Sequence, residues 1–204
     1  MITLHALKFS RATRVLWLLE DLGQDYRRLD YDRTLQFRAP DSLSKIHPLG
    51  KSPVIEDGGE VIAESATILR YLTAKFGDTF HQPPRNTAEF WQHEALFDYV
   101  EASFAEVAMR AVMPAFSGDD VPDQARIDLS KHLTYISGEL GVGPLLFGDD
   151  LTLADIQMSY ILALLAQLDL LGGHPEIAAY WKTLQSQPGY IAATKAAGPM
   201  ALPN

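Results

Sequence analysis

The chain has 204 residues with 47% hydrophobic content, enough for one or two ordinary cores, and this composition excludes a disordered or collagen-like polymer. Its formal net charge of −9 is uneven: residues 1–77 carry +1 and residues 78–204 carry −10, so the second part repels phosphate backbones and no nucleic-acid partner is expected. No cysteine occurs, which excludes disulfides, thiolate metal sites and dithiol chemistry carried by the protein itself.

Ile2 to Leu7 is short and apolar, as a buried strand requires. Arg11 to Leu22 follows with Val15, Leu18, Leu19 and Leu22 at helical spacing, and Gly23 supplies a stop. Tyr26 to Tyr31 reads as a second, charged strand, and Leu35 to Ile46 as irregular or short-helical. Val54 to Ile62 is a hairpin turning on Asp57-Gly58-Gly59. Ser65 to Phe76 is a helix with Ile68, Leu69, Leu72 and Phe76 on one face, closed by Gly77. The order β-α-β-(α)-β-β-α makes residues 1–77 an α/β domain.

Residues 78–86, with Pro83-Pro84, read as a linker, and residues 87–204 as an all-helical domain without a convincing strand. Phe90, Phe97, Phe104 and Ala111 recur every seventh residue, which predicts one long helix ended by the stretch from Pro114 to Pro122. Gln124 to Leu140 is a further helix. Thr152-Leu-Ala-Asp155 is a capping box ahead of a helix that is apolar nearly all round, and loss of the cap is worth about 1 kcal/mol. Pro175 to Gln185 and Gly189 to Ala197 are shorter terminal helices. The start, Met1 to His5, lacks a signal-peptide pattern, and the apolar run Ile156–Leu171 is interrupted by Gln157, Gln167 and Asp169, so no membrane partner and a cytoplasmic location are expected. The histidines show no metal-ligand spacing, and no metal site is expected.

Three places carry candidate chemistry. Ser52-Pro53 precedes the hairpin; a trans turn is the common form, whereas a cis bond turns the Ser52 main chain outward to pair with an extended peptide. Glu64-Ser65 opens a helix. Ser65 there is either a plain N-cap or part of a carboxylate nest, with Glu64 offering its charge to an ammonium; together they suit an α-amino-acid head group. Ser10, between the first strand and helix, is either a second N-cap or a hydroxyl donor to an anion, with Arg11 in reach of the same space. Arg14, one turn on, reads as a structural ion-pair partner for Glu20, Asp57 or Glu64.

Ser10-Arg-Ala-Thr-Arg-Val-Leu-Trp-Leu-Leu-Glu-Asp-Leu-Gly23, His47-Pro-Leu-Gly-Lys-Ser-Pro-Val-Ile55, Glu64-Ser65 with Ile68-Leu-Arg-Tyr-Leu72, and Leu151-Thr-Leu-Ala-Asp155 stand in this order over nearly the whole chain. With these motifs the chain resembles the cytosolic glutathione S-transferases, most of all bacterial and fungal members with Ser-Arg after the first strand. The resemblance implies a thioredoxin-like N-terminal domain, an all-α C-terminal helical bundle and a homodimer. It implies that Ser52, beside cis Pro53, holds the cysteinyl main chain of glutathione, that Glu64 and Ser65 hold the γ-glutamyl head, and that Lys51 lies near the glycyl carboxylate. Ser10, with Arg11, is the implied activator of the sulfur, and Asp98 matches an acid that some members extend across the dimer. No tyrosine precedes Tyr26, which leaves Ser10 as the candidate hydroxyl. The implied reaction joins the glutathione thiolate to a small hydrophobic electrophile in detoxification, with glutathione as co-substrate and no cofactor. A non-catalytic glutathione-binding carrier or interaction protein, or a glutathione-dependent isomerase or peroxidase, are the alternatives.

Overall fold

The first strand is buried on both sides because it is central, with Ile2, Leu4 and Ala6 on one face and Thr3, His5 and Leu7 on the other. β1 (Ile2–Leu7) lies between β2 (Tyr26–Tyr31) and β3 (Val54–Asp57), and β4 (Glu60–Ala63) completes a sheet of order β2-β1-β3-β4. This computed structural model describes residues 1–77, 80–198, 200 and 202. β1 and β2 run parallel from Ile2↔Tyr26 to Leu7↔Tyr31, so a crossover is needed, and α1 (Ala12–Asp21) provides it. β2 takes the edge, where its charged side chains remain partly exposed. β3 and β4 pair antiparallel around Gly58-Gly59, whose φ values of 61° and 95° give the tight turn that glycine alone adopts without strain. A short α2 (Asp41–Ser44) follows β2, and α3 (Ser65–Leu72) follows β4.

The helix expected to run to Phe76 changes character at Thr73. Residues Thr73–Gly77 form a π-helical turn. Its wider turn shifts the phase of the side chains after Leu72. Phe76 is therefore 36% exposed rather than in line with buried Ile68, Leu69 and Leu72. The same turn brings Lys75 to Asp57, whose carboxylate also accepts the Tyr71 hydroxyl at 2.7 Å. The end of α3 is thus braced against the hairpin.

The chain divides into two compact units, Met1–Phe80 with Pro188–Asn204, and His81–Gln187. α9 (Pro188–Ala197), which the sequence pattern groups with the helices of 87–204, packs instead on α1 in the first unit. Gly189 permits this contact: a Cβ there would collide with the Asp21 carboxylate and the Trp17 ring. Trp17 donates its indole N–H to Asp21 at 2.8 Å and meets Tyr190 edge-on at 5.5 Å. The linker expected at 78–86 begins with Asp78 and Thr79, which lie outside the described residues.

In the second unit the expected long helix is three segments: α4 (Ala88–Tyr99), a π-helical stretch Val100–Phe104, and α5 (Ala105–Ser117). Thr87 caps α4 by accepting the Phe90 N–H at 3.1 Å. The π stretch keeps Phe97, Val100 and Phe104 all buried. The helix ends within the expected stretch 114–122: Pro114 is still inside α5, and the stop is Gly118, which takes the left-handed conformation with φ 78°. α6 (Asp123–Glu139), α7 (Leu153–Gln167) and α8 (Pro175–Gln185) complete the unit. α7 is buried over nearly its full length and packs against α4, α5 and α8, as its all-round apolar sequence requires. Its capping box forms as expected: Thr152 donates to the Asp155 carboxylate through its N–H at 2.8 Å and its hydroxyl at 2.7 Å. No helix among the described residues is long and apolar enough to cross a membrane.

Candidate active site

Sheet register brings three of the candidate serines to one end of the first unit. β1 and β3 align His5 with Val54, so the chain just before Val54 lies beside the end of β1 and the Ser10 loop that leaves it. β3 and β4 align Val54 with Ala63, which sets Ser52-Pro53 beside Glu64-Ser65. The Ser52–Pro53 bond is cis.

The Ser52 hydroxyl ties this end together. It donates to the His5 carbonyl at 2.9 Å and accepts the Leu7 N–H at 3.0 Å. It also accepts the Ser10 hydroxyl at 3.4 Å. Ser10 is buried, and its oxygen accepts the Ala12 N–H at 3.2 Å while Thr13 donates its hydroxyl to the Ser10 carbonyl at 3.2 Å. The N-cap position of α1 belongs to Arg11, which is half-buried; Ser10 caps from one residue earlier. A crevice of about 30 Å³ lies alongside, lined by Leu7, Phe9, Ala12 and Leu16 with the polar Lys8, Thr13 and Asp30 among others.

Ser65 is the first residue of α3 rather than its N-cap. Glu64 holds the cap position with φ 68° and ψ 120°, a conformation that costs a non-glycine residue about 1–3 kcal/mol. Strain of this kind accumulates at working sites, because the surrounding structure must impose it. Glu64 and Lys51 are exposed, and Ser65 is buried. Under Ser65 lies Arg14, fully buried on α1, which donates from Nη1 to the Ser65 oxygen at 3.3 Å. The Ser65 hydroxyl is a partner that the sequence reading, which looked for an acid, does not name; the signal for the buried place of Arg14 is an i, i+4 alignment with Leu18 on a buried face.

One feature of the site escapes sequence reasoning. Arg33, just past β2, grips the loop that carries Ser10 through carbonyls of Lys8 and Phe9. Asp98, the remaining expected site residue, is exposed on α4 in the second unit. A separate cavity of about 650 Å³ in that unit presents Glu89, Gln92 and Glu139 as its polar side chains, with no hydroxyl, amine or imidazole among its lining residues.

The model of the glutathione S-transferase N-terminal domain matches residues 1–74, and that of the C-terminal domain matches residues 100–188. Glutathione S-transferase 3 of Schizosaccharomyces pombe is 32% identical over 214 residues, spanning 96% of this chain and 88% of that protein. The chain belongs to the glutathione S-transferase family. Glutathione S-transferase 1 of Saccharomyces cerevisiae is 31% identical, spanning 97% of this chain and 95% of its own. The crystal structure of a glutathione S-transferase from Actinobacillus pleuropneumoniae superposes with a TM-score of 0.85 at 29% identity, covering 97% of this chain and 93% of the other. The enzyme therefore has the expected glutathione S-transferase fold, a thioredoxin-like α/β part followed by an all-α part.

Proposed function

We propose that the chain is a glutathione transferase that joins the glutathione thiolate to small hydrophobic electrophiles. The observation that carries this reading is the meeting of Ser10, Ser52 and cis Pro53 at the sheet end where the Glu64-Ser65 helix start also lies. The yeast and bacterial relatives named glutathione S-transferases support it.

In this reading the glutathione backbone pairs with Ser52 as an added strand beside Pro53. The γ-glutamyl carboxylate meets the N–H groups at the start of α3 and the Ser65 hydroxyl, and Glu64 takes the ammonium. Lys51 answers the glycyl carboxylate. Ser10, with Arg11 and the start of α1, holds the sulfur as thiolate; each unit by which the thiol pKa falls is worth about 1.4 kcal/mol. The sulfur then attacks the electrophilic carbon, forming a C–S bond. With an aromatic halide the halide departs with its bonding electrons, and the thiol proton has already passed to solvent. Glutathione is the co-substrate, and the reading needs no resident cofactor. A cytoplasmic homodimer acting in detoxification, with Asp98 of each subunit reaching toward the partner's glutathione, belongs to the same proposal.

The test is twofold. The protein is passed over immobilised glutathione, and conjugation is followed spectrophotometrically with a panel of aromatic halides, isothiocyanates and enals. Retention with turnover of at least one panel member is expected. Retention with no conjugation anywhere would make the chain a glutathione carrier instead.

A further inference from the structure

The segment after β2 reaches back to the loop ahead of Ser10, and one side chain makes the connection. Arg33 donates from Nε to the Lys8 carbonyl at 2.9 Å, from Nη2 to the Phe9 carbonyl at 2.7 Å, and from Nη1 to the Phe37 carbonyl at 3.0 Å. Its guanidinium also lies 4.3 Å from the centre of the Phe37 ring, and that ring stacks on Phe9 at 6.2 Å. Phe9 and Phe37 both have left-handed backbones, with φ 56° and 59°. A bulky residue there is a genuine outlier and persists only where its surroundings hold it.

The Phe9 carbonyl belongs to the peptide plane that carries the Ser10 nitrogen, so gripping it fixes the direction in which Ser10 leaves the loop. The planar fork of one guanidinium holds three carbonyls at once, which a lysine ammonium on a flexible stem does not reproduce. From these contacts we infer that Arg33 is a positioning residue for the Ser10 hydroxyl: it locks the left-handed Phe9 turn and thereby aims that hydroxyl at the glutathione sulfur. The inference rests on the reading of Ser10 as the group that stabilises the thiolate.

The experiment uses the full chain and compares wild type with Ser10→Ala, Arg33→Gln, Arg33→Lys and the double variant Ser10→Ala/Arg33→Gln. The readouts are the pH midpoint for ionisation of bound glutathione, from thiolate absorbance, together with kcat and the glutathione KM. Arg33→Gln is expected to raise the midpoint in the same direction as Ser10→Ala and to lower kcat several-fold at little-changed KM. The double variant is expected to match Ser10→Ala alone, since one effect runs through the other. Arg33→Lys keeps the positive charge and is expected to be raised as well; it also carries the test if Arg33→Gln does not fold. A wild-type midpoint in Arg33→Lys beside a raised one in Arg33→Gln would mean charge rather than positioning, and would overturn the inference. So would additive shifts in the double variant. An unchanged midpoint in Ser10→Ala removes the Ser10 reading and this inference with it, whereas a shift in Ser10→Ala without one in either Arg33 variant sinks the inference alone.

Discussion

Arg14 on α1 and Ser65 on α3 meet through a 3.3 Å hydrogen bond although they stand 51 positions apart in sequence. The donor is fully buried and charged, so it polarises the Ser65 hydroxyl and fixes the oxygen as an acceptor toward α1, with the hydroxyl proton directed away from that helix. Ser65→Ala is expected to weaken glutathione binding about tenfold, near 1.4 kcal/mol, by isothermal titration calorimetry. Stability is expected to fall as well, by about 1–3 kcal/mol, because the buried Arg14 guanidinium loses the Ser65 acceptor, although Glu64 rather than Ser65 occupies the cap position. Unaltered affinity in this variant would leave Ser65 as a purely structural partner of Arg14.

Glu64 separates strain from binding. Its φ of 68° is easy for glycine and costly for glutamate. Glu64→Gly is expected to raise the thermal midpoint while weakening glutathione binding, because strain is relieved and a carboxylate is lost. Glu64→Gln retains the strain and loses only the charge, so its midpoint stays near wild type while affinity drops. If both variants bound glutathione as the parent does, Glu64 would have no part in the head-group site.

How much of the fold and site is legible in the sequence depends on how far each signal reaches. The Gly58-Gly59 hairpin, the Glu64-Ser65 junction and the Thr152–Asp155 box are each written within four residues, and each forms where expected. Ser10 and Ser52 can be named as candidates by motif, but their 3.4 Å contact depends on strand register. The Arg33 clamp and the Arg14 bond stay hidden because a basic side chain gives no periodic signal of its partner, least of all when that partner is a carbonyl or hydroxyl. The π-helical stretches at Thr73–Gly77 and Val100–Phe104 stay hidden too, since one inserted residue leaves the apolar spacing nearly helical. α9 packs on α1 because Gly189 admits Trp17 and Asp21, a contact that local pattern does not reveal.

Asp57 couples the first unit to pH. Hydrogen bonds from Lys75 and Tyr71, and the Lys75 charge, hold its carboxyl below the ordinary aspartate range. A depressed folded-state pKa means that the unfolded chain takes up the proton first as the solution is acidified. The stabilisation is therefore fully present above the ordinary value of about 3.9 and is lost as pH falls from there through the folded-state value. Urea midpoints measured from pH 6 down to about pH 2 are expected to fall less steeply at the acid end in Asp57→Asn than in wild type, with the difference between them shrinking as pH drops. Parallel curves would mean that the Lys75–Asp57–Tyr71 brace adds nothing to stability.

Asp155 is fully buried, and its two oxygens divide four donors between them. One oxygen accepts the Thr152 N–H and hydroxyl at 2.8 and 2.7 Å, and the other accepts the Leu146 N–H at 3.1 Å and the Tyr180 hydroxyl at 2.8 Å. Burial pushes the carboxyl pKa up, and these four bonds oppose it. Asp155→Asn keeps the shape but turns one acceptor into a donor. The Thr152 and Tyr180 hydroxyls can rotate to accept from the new amide, whereas a backbone N–H cannot. Whichever way the amide faces, one of the two N–H groups, Thr152 or Leu146, is stranded in the interior. That costs about 1–3 kcal/mol. Asp155→Ala strands both N–H groups and opens a cavity, so it is expected to cost more, about 3–5 kcal/mol. Tyr180→Phe removes one donor and leaves the carboxylate three, so it is expected to cost no more than about 1.5 kcal/mol. The ranking Ala, then Asn, then Phe in order of damage is checked by denaturant unfolding. A Phe variant as damaged as the Asn variant would show that the tyrosine bond, rather than the two backbone donors, makes Asp155 indispensable to α7.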